Sequence, residues 1–102
     1  FPLWLAPEQA RVLPVADRHA PYAEAVRARL RQEGLRVEVD SRSESVGRRI
    51  RDGELAKVPY LLIVGDKEEQ AGTASARARH AGDLGPTPLD ELSARLATEA
   101  QG

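Results

Sequence analysis

Three adjacent charged residues, Asp66, Lys67 and Glu68, follow directly after a short apolar segment and a glycine. The apolar segment, residues 60–64, shows no alternation of polar and apolar positions, which is typical of a strand buried on both faces. Ligands of open α/β sheets lie at the carboxyl ends of the strands. The pattern therefore predicts a buried strand that holds these charges at a ligand-binding edge. A core strand followed by a solvated turn is the alternative.

Basic residues in the middle of the chain form a second candidate binding group. They surround a predicted second helix or project from a predicted late strand: Arg42, Arg48, Arg49, Arg51, Lys57, Arg77 and Arg79. A guanidinium group presents a planar set of donors that suits phosphates and base edges, and it stacks on bases. Carboxylates between these residues offer acceptors for the Watson–Crick edge of guanine. The residue types favour nucleic-acid binding, and a solvated face with ordinary ion pairs is the alternative.

The composition argues against several other kinds of chemistry. The chain has 102 residues and no cysteine, so neither a disulfide nor a thiol nucleophile is expected. Its two histidines, His19 and His80, lie far apart in sequence, and we expect no bound metal or cofactor. There is no glycine-rich phosphate loop and no serine in a nucleophile elbow, so we expect no enzymatic activity in these residues. No apolar run reaches membrane-spanning length, which predicts a soluble intracellular domain without a membrane partner.

Apolar spacing and turn residues predict the elements that position these side chains. In chain order they are strand 10–16, helix 21–33, strand 35–40, a helix ending near residue 55, strand 59–64, strand 73–79, a turn at 82–85, and a helix that begins at 87–88 and frays over 98–102. Two right-handed crossovers then give three parallel strands, to which the strand at 73–79 adds in antiparallel orientation. The predicted fold class is α/β, with a mixed, mainly parallel sheet flanked by three helices.

Two residues of the second predicted helix carry specific expectations. Leu55 is expected to face the core from the end of the helix. Gly47 costs a helix about 1 kcal/mol relative to alanine, so a close approach of backbone or ligand is expected beside it.

Three segments of the chain resemble the carboxyl-terminal anticodon-binding domain of threonyl-tRNA synthetase, a class II aminoacyl-tRNA synthetase. They are residues 1–7 (Phe-Pro-Leu-Trp-Leu-Ala-Pro), residues 58–68 (Val-Pro-Tyr-Leu-Leu-Ile-Val-Gly-Asp-Lys-Glu), and the pair Arg77 and Arg79 followed by Gly-Asp-Leu-Gly at 82–85. The resemblance covers essentially the whole chain, and it implies an α/β fold whose mixed sheet has about five strands. It implies that residues 1–9 are a lead-in from a catalytic domain that this chain lacks, and that residues 10–100 are the anticodon-binding domain.

The resemblance also implies a function and a set of partners. The chain would bind the anticodon loop of a threonine-type tRNA without catalysing a reaction by itself. The parent would be a cytoplasmic homodimer that joins threonine to tRNA with ATP and carries zinc in its catalytic domain.

Three residues match positions that read the anticodon loop in the family. Glu68 matches a carboxylate suited to the two neighbouring donors of guanine, and Arg77 matches the first arginine of an Arg-x-Arg pair. Ser43 stands where many members have asparagine; serine keeps a donor and an acceptor but has a shorter reach and no bidentate geometry. Further tRNA contacts are expected at four basic residues: Arg79, Arg42, Arg49 and Lys67.

Two alternatives remain beside this hypothesis. A non-catalytic protein-interaction module, or a paralogue that no longer reads tRNA, would have the same fold. The equivalent domains of the prolyl-, glycyl- and histidyl-tRNA synthetases also share the fold, although residues 1–7 and 82–85 favour the threonyl family.

Overall fold

The computed structural model describes residues 2–101; Phe1 of the expected lead-in and Gly102 of the expected frayed end lie outside the described residues. The strands are β1 (Ala10–Pro14), β2 (Val37–Val39), β3 (Tyr60–Val64), β4 (Thr73–Ala78) and β5 (Gly82–Pro88). The α-helices are α1 (Ala20–Arg31), α2 (Val46–Leu55), α3 (Asp66–Ala71) and α4 (Leu89–Ala100). Short 3-10 turns lie at Leu3–Leu5 and Asp17–His19.

The five strands form one mixed sheet in the order β2–β1–β3–β4–β5. β1 pairs in parallel with β2 and β3, whereas β4 pairs antiparallel with β3 and β5. Val12, Leu62 and Ala76 lie side by side across the three central strands and are fully buried. The predicted α/β class and the five-stranded mixed sheet are confirmed, with four helices among the described residues where three were expected.

Helices cover the two faces of the sheet unequally. α1 and α4 pack together on one face through apolar residues such as Val26, Leu30 and Leu96. α2 packs on the other face, where Ile50 contacts a smaller cluster that includes Leu13 and Leu61. The register places Ser75 and Arg77 of β4 on this second face, opposite Ile63 and Leu61. Ser75 and Arg77 are only half-buried, so the sheet stays partly open beyond α2.

The turn expected after β3 is the first turn of the short helix α3. None of its six residues is buried, so it has no apolar stripe from which a helix could be predicted. Its start is fixed by Glu68, whose Oε1 accepts a hydrogen bond from the Gly65 amide at 2.8 Å. Its end is fixed by Gly72, which has the left-handed conformation (φ 70°) that favours glycine.

The turn expected at residues 82–85 is part of β5. This strand includes two glycines at φ 74° and two prolines, Pro86 and Pro88, all of which are uncommon inside strands. It lies at the edge of the sheet, where a proline need not donate to a neighbouring strand. Position in the sheet therefore overrides the composition from which a turn was expected.

Three expectations for the helices differ from the structure. Leu55 is 69% exposed at the end of α2, and the tight contact with the sheet is made by Gly53 instead. A Cβ at Gly53 would lie 2.6 Å from Cδ2 of the buried Leu61, whereas a Cβ at Gly47 would meet no atom within 4 Å. Close packing against Leu61 therefore explains the glycine at 53. The backbone approach expected beside Gly47 is wrong, and a ligand there stays a prediction. The last helix does not fray at Thr98, whose hydroxyl donates to the Ala94 carbonyl at 2.9 Å.

Candidate nucleic-acid interface

Glu68 lies at the carboxyl edge of the parallel strands, half-buried in the first turn of α3. Its Oε1 accepts the Gly65 amide hydrogen, and its Oε2 makes no hydrogen bond within residues 2–101. A carboxylate oxygen has two lone pairs, so Oε1 also keeps a free acceptor site. The pKa of the nearby Tyr22 is raised by burial and by the negative charges of Glu68 and Glu69. The Glu68 carboxylate, with Oε2 and one lone pair of Oε1 free, can therefore accept two parallel hydrogen bonds from a ligand.

Arg77 is the fifth of the six residues of β4, opposite Leu61, and it borders a groove between α2 and β4. We call this the α2–β4 groove; its volume is about 270 Å³. Its lining residues come from α2, the start of β3, β4 and β5: Glu54, Val58, Leu61, Arg77, Ala78, Arg79 and Gly82. Within residues 2–101 no carboxylate lies within 4.0 Å of Arg77 or Arg79, so neither cation is neutralised by an ion pair.

Glu68 and Arg77 lie at different positions along the sheet. Arg77 pairs with Leu61, three residues before Val64 ends β3, and Glu68 follows beyond that end. Three residues of strand span roughly 10 Å. A ligand that is extended along β3 and β4, as consecutive nucleotides are, suits this arrangement.

Ser43 and Arg42 lie in the exposed loop between β2 and α2 and line a second cleft. This β1–β2 cleft has a volume of about 360 Å³ and opens at the carboxyl ends of β1 and β2, with Val15 and Asp17 on its other side. Arg42 donates to Asp40 at 2.8 Å and to Asp52 at 2.9 Å. The hydrogen bond from Arg42 is the main cause of the lowered pKa of Asp40. Arg42 is therefore already paired, and a phosphate there would compete with two carboxylates.

The grouping of Arg49 with the exposed basic residues is corrected by the structure. Arg49 is 3% exposed, because it lies on the inner face of α2. Its Nη1 donates to the Asp40 carbonyl at 2.8 Å, and its Nε donates to the Glu44 carbonyl at 3.1 Å. In this arrangement the side chain holds both ends of the loop that carries Ser43 and has no free surface for a phosphate. Lys67, in contrast, is exposed on α3 and has no carboxylate within 4.0 Å in the described part of the chain.

One contact near this interface was missed by sequence reasoning. His19 is buried at the carboxyl end of β1, and its Nε2 lies 2.6 Å from Oδ1 of Asp66, the first residue of α3. Arg18 donates to the other oxygen of Asp66 at 2.8 Å. The contact leaves no local pattern, because 47 positions separate His19 from Asp66. The only signal available was that each follows a predicted strand of the same parallel sheet.

Metal-binding clusters and membrane-spanning helices are both absent from residues 2–101. No group of three or more histidine, cysteine or carboxylate side chains is arranged to hold a metal ion there. None of the helices in that range is both long and apolar enough to cross a membrane.

Comparison with known proteins gives consistent results for sequence and structure. The family described as "Anticodon binding domain" matches residues 9–99. The chain is 54% identical over 99 residues to a threonine–tRNA ligase of Symbiobacterium thermophilum, covering 97% of this chain and 15% of that protein. It is 52% identical over 99 residues to a threonine–tRNA ligase of Syntrophomonas wolfei, covering 97% and 16%. The chain thus spans only a small part of the length of these curated relatives.

A solved structure shows the same fold at lower identity. The RNA binding domain of a threonyl-tRNA synthetase from Cryptosporidium parvum superposes with a TM-score of 0.90 at 27% sequence identity. The superposition covers 97% of this chain and 25% of that one.

Proposed function

Since this chain belongs to the anticodon binding domain family, we propose that it binds the anticodon loop of a threonine-type tRNA. The observation that carries the proposal is the pairing of an acceptor and a donor along one extended surface. Glu68 has free acceptor sites at the carboxyl edge of β3, and the unneutralised Arg77 borders the α2–β4 groove. The high identity to threonine–tRNA ligases supports threonine as the amino acid of that tRNA.

The roles of the residues follow from their chemistry. The Glu68 carboxylate accepts hydrogen bonds from the two adjacent donors on the Watson–Crick edge of guanine, a base of every threonine anticodon. Arg77 donates to the neighbouring base or stacks on it, since a guanidinium group does both. Ser43 contributes one hydrogen bond from the edge of the β1–β2 cleft. Arg79 and Lys67 contact phosphates, and Arg42 does so where a phosphate displaces one of its carboxylates.

The activity of the whole protein is part of the same proposal. We place this domain in a cytoplasmic, homodimeric threonine–tRNA ligase whose other residues bind ATP and zinc and join threonine to tRNA. On this proposal the 102-residue chain supplies binding and no catalysis. A protein-interaction role is not favoured, because the family and both groups of relatives are associated with tRNA or RNA in their names.

The test is a binding titration with two tRNA transcripts. One transcript carries a threonine anticodon. In the other, called the exchanged transcript, the rest of the tRNA is the same but the guanine and uracil of the anticodon are each replaced by another base. Glu68→Gln and Arg77→Ala should each cost about 1–3 kcal/mol of binding free energy for the threonine transcript and much less for the exchanged one. Arg31→Ala is the matched control, because Arg31 is an exposed arginine of α1 paired with Glu38 at 3.1 Å.

Comparison of the two transcripts distinguishes residues that recognise the anticodon bases from residues that only hold the loop in place. Equal losses for both transcripts in the Glu68 and Arg77 variants would mean that these residues hold the loop without reading it. If the unmodified chain binds both transcripts with equal affinity, the proposed recognition of the anticodon is wrong.

A further inference from the structure

His19 is a fully buried titratable side chain that the proposed tRNA contacts do not use. It lies in the 3-10 turn between β1 and α1 and is 1% exposed. Its Nδ1 accepts a hydrogen bond from the Ala16 amide at 3.1 Å. Because Nδ1 acts as the acceptor, the ring hydrogen of the neutral imidazole lies on Nε2. The Nε2–H group therefore donates to Oδ1 of Asp66 across the 2.6 Å contact.

Asp66 links this buried ring to the helix that carries Glu68. It is the first residue of α3, two positions before Glu68. Its Oδ1 accepts from His19 Nε2 and, at 3.2 Å, from Arg18 Nε, and its Oδ2 accepts from Arg18 Nη2 at 2.8 Å. The hydrogen bonds from Arg18 and from His19 hold the pKa of Asp66 well below its usual range. Both donors belong to the connection between β1 and α1. The start of α3 is thus bonded to the segment after β1, although α3 itself follows β3 in the chain.

Little else holds α3 in place. The helix has six residues and none of them is buried, so packing against the core contributes little to its orientation. Its first turn is fixed by the Gly65 amide, which donates to Glu68, and by the three hydrogen bonds that Asp66 accepts from Arg18 and His19. Arg18 is largely exposed, and an exposed ion pair is weak because water and salt screen it. Of these two donor residues only His19 is buried, so its hydrogen bond ties Asp66 to a side chain that the core holds in place.

We infer that His19, acting through Asp66, is a positioning residue that sets where the Glu68 carboxylate stands at the anticodon surface. The inference rests on the proposed role of Glu68 as a reader of the anticodon. His19 touches no RNA in this arrangement. The Ala16 amide fixes the ring on one side through its hydrogen bond to Nδ1. On the other side Nε2 donates to Asp66 and so fixes the start of α3. A misplaced acceptor loses hydrogen bonds to guanine even though its chemistry is unchanged.

The variants that test this are His19→Phe, which keeps an aromatic ring but loses both hydrogen bonds, and Asp66→Ala. Asp66 is 56% exposed, so its replacement leaves the core intact and serves if His19→Phe fails to fold. Each variant should lower the preference for the threonine transcript over the exchanged one by roughly three- to tenfold. In a Glu68→Gln background the same changes should lower it by less than about twofold, because they act through Glu68. Asp66→Asn keeps an acceptor for His19 and should restore the preference.

The matched control is Asp90→Ala. Asp90 is likewise a carboxylate in the first turn of a helix and is paired with an arginine, Arg29, at 3.3 Å, but it lies on α4. Its removal should leave the preference unchanged within about twofold. A readout without RNA is hydrogen exchange of the Gly65 amide, which should speed up in Asp66→Ala while the amides of β1 and β3 keep their protection.

The outcomes separate this inference from the proposed function. If Glu68→Gln abolishes the preference but Asp66→Ala leaves it intact, or lowers the affinity for both transcripts equally, His19 is only structural and the inference is wrong. An unchanged exchange rate at Gly65 in Asp66→Ala contradicts it as well, whatever the RNA result. Failure of the proposed function shows differently, as a chain without preference whose Glu68→Gln variant binds no worse.

Discussion

Arg49 shows how burial changes the role of a single residue. Its two hydrogen bonds go to the backbone carbonyls of Asp40 and Glu44, at the two ends of the loop that carries Ser43. When a buried carbonyl loses its hydrogen-bond donor, the free energy of removing that carbonyl from water is no longer offset. The folded state is then destabilised by about 1–3 kcal/mol. The guanidinium group therefore contributes mainly to the stability and shape of this loop. Any effect on tRNA binding is indirect.

We expect Arg49→Ala to lower the free energy of unfolding by about 2–4 kcal/mol, from the unpaired Asp40 carbonyl and the lost packing of a buried side chain. Arg48→Ala is the matched control on the same helix; its side chain is exposed and lies 3.8 Å from Glu44, and its loss should cost less than about 0.5 kcal/mol. Urea unfolding of both variants measures the difference. A fully stable Arg49→Ala variant that no longer binds tRNA would instead support a phosphate contact at this residue.

At the scale of elements, the packing of α2 on β3 depends on a glycine. A Cβ at Gly53 would lie 2.6 Å from Leu61, whose side chain is itself buried beside Leu13 and Val58. Replacing a helical glycine by alanine gains up to about 1 kcal/mol, whereas overpacking a core costs about 1–3 kcal/mol. The steric cost therefore exceeds the gain at this position. Gly47 of the same helix meets no atom within 4 Å, so only the gain applies there.

The same substitution should consequently have opposite signs at the two glycines. We expect Gly47→Ala to raise the free energy of unfolding by about 0.5 kcal/mol and Gly53→Ala to lower it by about 1–2 kcal/mol. Thermal or urea unfolding of the two single variants provides the comparison. A Gly53→Ala variant as stable as Gly47→Ala would show that Leu61 moves aside without cost. The close contact with Leu61 would then no longer explain the glycine at position 53.

Sequence patterns predicted the elements that bury apolar residues in the core. They failed for elements whose conformation depends on hydrogen bonds or on their position in the sheet. β3 was predicted because its apolar run is continuous, and α1 because its apolar residues repeat at helical spacing. α3 has no buried residue and β5 contains two glycines and two prolines, so neither leaves an apolar pattern. Among the candidate site residues, the position of Glu68 after β3 followed from the sequence. The burial of Arg49 and the contact of His19 with Asp66 depend on tertiary packing, which no local pattern contains.

At the scale of the whole molecule, the net charge of −1 conceals an uneven distribution. Most arginines are neutralised by carboxylates, as Arg11 is by Glu8 and Arg29 is by Glu33. Within residues 2–101 the cations without a carboxylate at 4.0 Å are Arg36, Arg49, Arg51, Lys57, Lys67, Arg77 and Arg79, and the first two are held by backbone carbonyls. The remaining five lie on α2, after α2, on α3 and at β4. Lys67, Arg77 and Arg79 among them supply positive charge to the surface proposed for tRNA, although the whole chain is slightly acidic.

This distribution predicts weak binding with a strong dependence on salt. If about three or four of these cations contact phosphates of a single-stranded loop, the logarithm of the association constant should fall with the logarithm of salt concentration with a slope of about −2 to −3. The measurement is a titration with the threonine transcript at several salt concentrations. Arg79→Ala should make the slope less steep by about 0.7, because one phosphate contact is lost. Glu68→Gln should weaken binding without changing the slope, since the carboxylate contacts a base and releases no counterion. Affinity that is constant across the salt series, or a slope altered by Glu68→Gln and not by Arg79→Ala, would contradict this division between residues that read bases and residues that hold phosphates.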